Sequence, residues 1–170
     1  IYMGGPEVSY NAKEFLLQNN EVEGIMRGEG EKIFANFVTA VSEENSPIPN
    51  LSNIKGVVYR SASGEIIENE LESPLDMSDI PFVYKDLKQF ENKIMYYETS
   101  RGCPFSCSYC LSSIDKKLRF RNLSLVKEEL KFFIDNKVAQ VKFVDRTFNC
   151  KKDHAIEIWK FIKEHDNGIT

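Results

Sequence analysis

Glu98-Thr-Ser-Arg-Gly-Cys-Pro-Phe-Ser-Cys-Ser-Tyr-Cys-Leu-Ser-Ser113 decides how the rest of the chain is read. It holds three of the four cysteines, spaced Cys103-x-x-x-Cys107-x-x-Cys110. The run Ile94-Met-Tyr-Tyr97 leads into it. Short, apolar, aromatic and bounded by polar residues, that run is predicted to be a buried strand. Gly102 and Pro104 then break the strand and force a tight loop. Three thiols on one short loop can converge on a single metal centre and leave a coordination position open on the far side. Zinc sites usually show paired dyads, and only Cys107 and Cys110 form one here. Cys150, the remaining candidate for a fourth ligand, lies far downstream. Ferredoxin runs use a different spacing. Spacing alone therefore leaves an iron–sulfur cluster and zinc side by side, with inert thiols a third reading. A disulfide framework needs a secretory context that nothing in the sequence suggests.

Outward from this loop the pattern is α/β. Upstream, Ile1-Tyr-Met3 reads as a strand end and Gly4-Gly-Pro6 as the turn after it. Residues 12–19 have a helical look, with Phe15, Leu16 and Leu17 apolar. Gly24-Ile-Met26 is a second short strand, followed by Arg27-Gly-Glu-Gly-Glu31 and a helix over residues 32–41. There Ile33, Phe34, Phe37, Val38 and Val41 recur at helical spacing. Glycine-rich loops at the carboxyl ends of such strands often admit a ligand, though each could equally be a plain turn. Residues 43–53, with Pro47 and Pro49, read as a linker. Ile54-Lys-Gly-Val-Val-Tyr59 and Glu65-Ile-Ile67 flank Arg60-Ser-Ala-Ser-Gly64 as a β-hairpin with a structural role. Residues 73–81 are a second linker, and residues 82–91 are amphiphilic and ambiguous.

Downstream, Lys116-Lys-Leu-Arg-Phe-Arg121 is a basic patch, either solvated surface or a contact for an acidic ligand. Ser124 is the expected cap of a helix over residues 125–136, whose Val126, Leu130, Phe133 and Ile134 share a face. Gln140-Val-Lys-Phe-Val144 is the next strand, residues 145–149 its polar loop, and residues 151–165 a helix with Ile156, Trp159, Phe161 and Ile162. Strand, loop, helix, repeated, is how a (β/α) barrel begins, and such folds place chemistry at the carboxyl ends of strands. The cysteine loop and residues 145–149 both sit there.

Ser100-Arg-Gly-Cys-Pro-Phe-Ser-Cys-Ser-Tyr-Cys110 resembles the cluster-binding loop of radical S-adenosylmethionine (SAM) enzymes, including the aromatic Tyr109 before the last cysteine. The resemblance implies that Cys103, Cys107 and Cys110 hold a 4Fe–4S cluster whose fourth iron takes the amino and carboxylate groups of SAM. It further implies that the backbone at Tyr109 reads the adenine, the rival being simple core packing of the ring. Residues 1–44 resemble the tail of the cobalamin-binding domain that precedes the barrel in one large branch. Phe143-Val-Asp-Arg-Thr-Phe-Asn149 resembles the second barrel strand in a subset of that branch. On this basis Gly4, Gly5, Pro6, Gly28, Glu29, Gly30 and Glu31 line the side that receives cobalamin's nucleotide tail. The family's cobalt-ligating Asp-x-His-x-x-Gly segment is missing, since His154 and His165 are the only histidines. Histidine-ligated cobalamin is therefore not expected on this chain alone. Asp145 and Arg146 are candidates for the SAM amino and carboxylate groups, because a carboxylate accepts from an ammonium and Arg grips carboxylates bidentately. The rival is an internal ion pair closing the loop. Cys150 reads as a buried free thiol, with a second metal site the alternative.

The implied organisation is the end of a doubly wound cobalamin-binding-type domain (1–45), a hairpin-bearing linker (46–93) and the first two strand–helix units of a radical SAM barrel (94–170). The implied activity is reductive SAM cleavage that starts methyl transfer or ring formation on a small molecule. Iron–sulfur oxidoreductases and magnesium-protoporphyrin ester cyclases belong to this branch. An electron donor such as flavodoxin or ferredoxin is the implied partner. The alternatives are a structural zinc module and a SAM-independent electron carrier. A net charge of −4 over 170 residues, with no basic stripe, argues against a nucleic-acid-binding module. No apolar run approaches bilayer length and no signal peptide is present, so the cytoplasm is the expected compartment. The opening Ile1-Tyr-Met reads as mid-strand, and the chain as an internal piece of a longer protein.

Overall fold

Backbone pairing in the computed structural model, which describes residues 1–43, 50–113 and 117–165, sorts the chain into two units, Ile1–Leu75 and Asp76–Thr170. In the first, β1 (Tyr2–Gly4) and β2 (Gly24–Met26) run parallel. Parallel neighbours need a crossover, and α1 (Pro6–Ser9) with α2 (Ala12–Gln18) supplies it. After β2 comes α3 (Gly30–Glu43). The hairpin strands β3 (Val57–Arg60) and β4 (Ile66–Glu68) then complete a sheet of order β1-β2-β3-β4. The hairpin is thus the second half of the first unit's sheet rather than part of a linker. Val57 and Val58 are fully buried, which ties β3 to β2 as firmly as β1 is tied. Compactness consequently divides the chain at 75/76, whereas composition divided it at 45/46 and 93/94. Residues 44–49, with Pro47 and Pro49 of the expected first linker, lie outside the described residues.

One apolar cluster joins Val8, Ala12, Leu16, Val22, Ile25 and Val58; another joins Ile33, Leu51, Ile54 and Val57. A helix on one sheet face buries only a stripe. So Ile33 and Phe37 of α3 turn inward, while Phe34, Val38 and Val41 stay exposed, contrary to the wider face their spacing suggested.

In the second unit, β5 (Met95–Tyr97) pairs in parallel with β8 (Val141–Phe143). Between them lie the short antiparallel strands β6 (Ser100–Arg101) and β7 (Arg119–Phe120), and then α4 (Leu123–Asp135); α5 (Lys152–His165) follows β8. The helix cap is Asn122, whose Oδ1 accepts from the Ser124 N–H at 2.9 Å, so α4 begins two residues before the expected start. Met95, Tyr97, Val126, Leu130, Phe133 and Ile158 form the core. β5 is buried on one face only, since Tyr96 points outward. Its second edge is closed by a side chain: the Tyr84 hydroxyl donates to the Tyr96 carbonyl at 2.7 Å and accepts from the Tyr96 N–H at 3.1 Å. That explains the ambiguous residues 82–91, whose Phe82, Tyr84 and Phe90 cover the strand and the Phe132–Phe133 rings.

The expected basic patch divides. Lys116 lies outside the described residues and Lys117 is exposed. Arg121 is buried and grips Glu129, its Nε at 2.9 Å from Oε2 and its Nη2 on Oε1, while Nη1 donates to the Met77 carbonyl. The Tyr97 hydroxyl donates to the same carboxylate.

Candidate metal centre

The cysteine loop hangs between β6 and β7, just beyond the carboxyl end of β5. Residue 102 must be glycine for two reasons. Its φ is +96°, and a Cβ there would stand 2.5 Å from the Lys117 carbonyl oxygen. The loop can therefore turn back on its own exit strand only without a side chain at this point. Beyond it, Cys103 and Cys110 are partly exposed, Cys107 is exposed, and none of the four cysteines is in a disulfide. The Tyr109 ring is 91% exposed and is not a core side chain. A 3₁₀ turn, Leu111–Ser113, ends the described part of the loop.

From the carboxyl end of β8, residues 145–149 meet this loop at two points. The Asp145 carboxylate accepts from the Thr99 hydroxyl at 2.7 Å, the Ser100 hydroxyl at 2.6 Å and, at 3.2 Å, the Thr99 N–H. Thr99 and Ser100 are wholly buried, so these bonds replace water that the hydroxyls would otherwise lose. At the second point the Thr147 hydroxyl lies 3.2 Å from Cys103 Sγ. That contact, with the Phe105 N–H as a further donor, holds the Cys103 thiol below its ordinary range. Glu98 and Arg101 form an ion pair at 2.7 Å on the same loop.

Sequence reasoning offered Asp145 and Arg146 either as contacts for the SAM amino and carboxylate groups or as an internal ion pair closing the loop. Asp145 instead turns to Thr99 and Ser100, so the loop is closed by hydroxyls rather than by an Asp145–Arg146 pair; Arg146 is exposed. Thr99, Ser100 and Thr147 were not singled out from the sequence. Their signal was hydroxyl residues flanking both an acid and a cysteine at two strand ends. Cys150 is only partly buried. His154, near the start of α5, is buried against the Phe120 ring, and its Nε2 has no hydrogen-bond partner among the described residues. Burial, and then the neighbouring Lys151, pushes its pKa down, against a smaller pull from Asp145.

Among the described residues no three His, Cys, Asp or Glu side chains stand close enough together to hold a metal ion. The donor chemistry nonetheless fits a cluster. Three soft sulfur ligands share one short loop, and one of them is already biased towards thiolate. Residues 104–109 are exposed and take no part in the apolar core of the second unit.

In the first unit, an open cleft of ≈ 550 Å³ lies at the carboxyl ends of β1 and β2 and is lined in part by Gly4, Gly5, Gly28, Gly30 and Glu31. Pro6 opens α1, and the Glu29 carboxylate accepts from the Leu75 N–H at 2.8 Å. Five of the seven residues expected at a cobalamin tail thus share one cleft, while Pro6 and Glu29 take structural roles beside it.

No protein-family model matches the chain. Among curated proteins, it is 31% identical over its full length to the uncharacterized methyltransferase PH0819 of Pyrococcus horikoshii, spanning 38% of that protein. It is 25% identical, over 98% of its length, to the anaerobic magnesium-protoporphyrin IX monomethyl ester cyclase of Rubrivivax gelatinosus, spanning 32% of it. Its relatives are cobalamin-dependent radical SAM methyltransferases and magnesium-protoporphyrin ester cyclases, the branch that the cysteine loop resembles. Its fold agrees: 96% of the chain superposes, with a TM-score of 0.72 and 19% identity, on 24% of the cobalamin-dependent SAM radical enzyme OxsB. The chain spans about a third of the length of these curated relatives. No helix among its described residues is long and apolar enough to cross a membrane.

Proposed function

We propose that this chain carries the cluster-binding, SAM-facing part of a cytoplasmic radical SAM enzyme that transfers a methyl group or forms a ring on a small molecule. The observation that carries the reading is one loop with three thiols outside disulfides, set at the carboxyl end of β5 and pinned by the β8 loop. A 4Fe–4S cluster held by such thiols supplies, when bound, the electron that cleaves SAM to methionine and a 5′-deoxyadenosyl radical. Cys103, Cys107 and Cys110 serve as its ligands. The backbone around the exposed Tyr109 is free to contact the adenine. Arg146, exposed beside the loop, is suited to grip the SAM carboxylate. Asp145 acts one step back, fixing Thr99 and Ser100 so that the loop is presented at a constant angle. The glycine-lined cleft of the first unit suits the nucleotide tail of cobalamin, and the cobalt-ligating segment would have to come from elsewhere. A flavodoxin or ferredoxin is the proposed electron donor.

The test is anaerobic loading with iron and sulfide. The wild-type chain takes up about four irons and turns brown. Cys107→Ala takes up none in stable form, measured by iron and sulfide analysis after desalting. A colourless chain that binds zinc through the same loop, or full loading of Cys107→Ala, overturns the assignment.

A further inference from the structure

We propose that Thr147 is a positioning residue for the cluster: its hydroxyl donates a hydrogen bond to Cys103 Sγ and raises the cluster's reduction potential. This rests on the cluster reading above. The geometry comes from the other strand. Thr147 Oγ1 stands 3.2 Å from Cys103 Sγ, across a separation of 44 residues. A neutral thiol and a hydroxyl can each donate to the other. Once the sulfur is a metal-bound thiolate it has no proton, so the hydroxyl must be the donor.

The contact is held from both sides. Two residues before it, Asp145 is bonded to Thr99 and Ser100. One residue after it, Phe148 packs against Phe143 of β8 and Trp159 of α5, with ring centroids 5.1 and 5.7 Å away. The loop closes on itself through the Cys150 N–H, which donates to the Thr147 carbonyl at 3.2 Å. A side chain fixed this way keeps its hydroxyl near the sulfur. Cys103 is also the cysteine nearest the strand end and is partly buried, whereas Cys107 is exposed.

A donor aimed at a ligand sulfur withdraws electron density from it. The reduced cluster carries one more negative charge than the oxidised one and gains more from the bond, so the potential rises. For an enzyme that must pass an electron from the cluster to SAM, this sets how strong a reductant is needed to charge it.

The experiment compares wild type, Thr147→Val and Thr147→Ser, each loaded anaerobically, by potentiometric titration and iron analysis. Valine keeps the shape and loses the hydroxyl; serine keeps the hydroxyl. At a fixed poise the reduced-to-oxidised ratio of Thr147→Val is expected to fall roughly three- to tenfold, tenfold being about 59 mV for one electron. Thr147→Ser restores most of the shift, with iron content equal in all three. Equal potentials at equal loading overturn the inference and leave the cluster reading standing. Failure of the wild type to load overturns the cluster reading, and the inference with it. If only Thr147→Val fails to load, the metal-free chain decides. Iodoacetamide, followed by peptide mass analysis, must then modify its Cys103 more slowly than in wild type, relative to Cys107. An unchanged ratio overturns the inference.

Discussion

Gly102 shows how much one residue can set for the site. Its positive φ costs other residues about 1 kcal/mol or more, and the carbonyl of Lys117 leaves no room for a methyl group. Because that neighbour is backbone, it can yield only if β7 moves away from β6. Gly102→Ala should therefore lower cluster loading on anaerobic reconstitution several-fold. Gly64→Ala is the control: its φ is +83° but a Cβ there meets open space, so it costs about 1 kcal/mol and leaves loading unchanged. Equal loading of the two variants would mean that the loop does not depend on the close approach at residue 102. The same scale separates Asp145 from Arg146. They are adjacent in sequence, yet one is bonded inward to two buried hydroxyls and the other stands in solvent.

Among the elements, α4 is tied to the segment that leads into it from β7 by the buried Arg121–Glu129 pair, on which the Tyr97 hydroxyl also converges. Both charges are nearly out of water, with exposures of 6% and 8%. Removing one partner strands the other, which typically costs about 3–5 kcal/mol, whereas replacing both with apolar residues costs far less. Arg121→Met should therefore destabilise the second unit by about that amount, and Arg121→Met/Glu129→Leu should recover much of it. Trp159, the only tryptophan, lies in α5 and reports unfolding of this unit in urea by its fluorescence. A double variant as unstable as the single one would show that the pair stabilises by its net attraction rather than by avoiding a bare charge. The aromatic packing of Phe82, Tyr84 and Phe90 over β5 works differently, by burying apolar area and closing the strand edge.

For the whole molecule, His154 is one group whose titration links stability to acid. Burial holds its folded-state pKa below the ordinary 6.5, so the unfolded chain binds more protons in the window just beneath that value. Stability then rises with pH through the window and is lost as pH falls from 6.5. Lys151 deepens the effect and Asp145 opposes it. Urea midpoints between pH 7 and about 5 should fall in wild type and stay flatter in His154→Phe; parallel slopes would exclude His154 as the source. Activity is also a property of the whole. The chain spans only 38% and 32% of its curated relatives. One side of β8 opens on an apolar cavity of ≈ 420 Å³ lined by residues such as Leu130, Val141, Phe143 and Trp159. SAM's sulfur must be placed accurately against the cluster, and small misplacements cost large factors in rate. The loaded chain should cleave SAM far more slowly than a protein as long as its relatives. The measurement is 5′-deoxyadenosine formed after dithionite reduction, and comparable rates would show that residues 94–170 complete the site.

Local chemistry was enough to read the cysteine loop, the strands at residues 24–26 and 141–143, and the helices after them. Each depends on spacing, capping and turn residues within a few positions of one another. The family was legible through the resemblance of residues 100–110 to a cluster-binding loop, since the cysteine spacing alone left iron–sulfur and zinc open. Tertiary structure decided the rest. Nothing near residue 57 reveals that β3 pairs with β2; the hairpin joins the first unit because Val57 and Val58 fill a space between distant segments. Periodicity gave α3 an apolar face but not its width, which the sheet beneath it limits. Arg121 looked like part of a surface patch until Glu129, on another element, drew it inward. Thr147 gained its place beside Cys103 through parallel pairing of β5 with β8, a contact between residues 44 apart that no local pattern encodes.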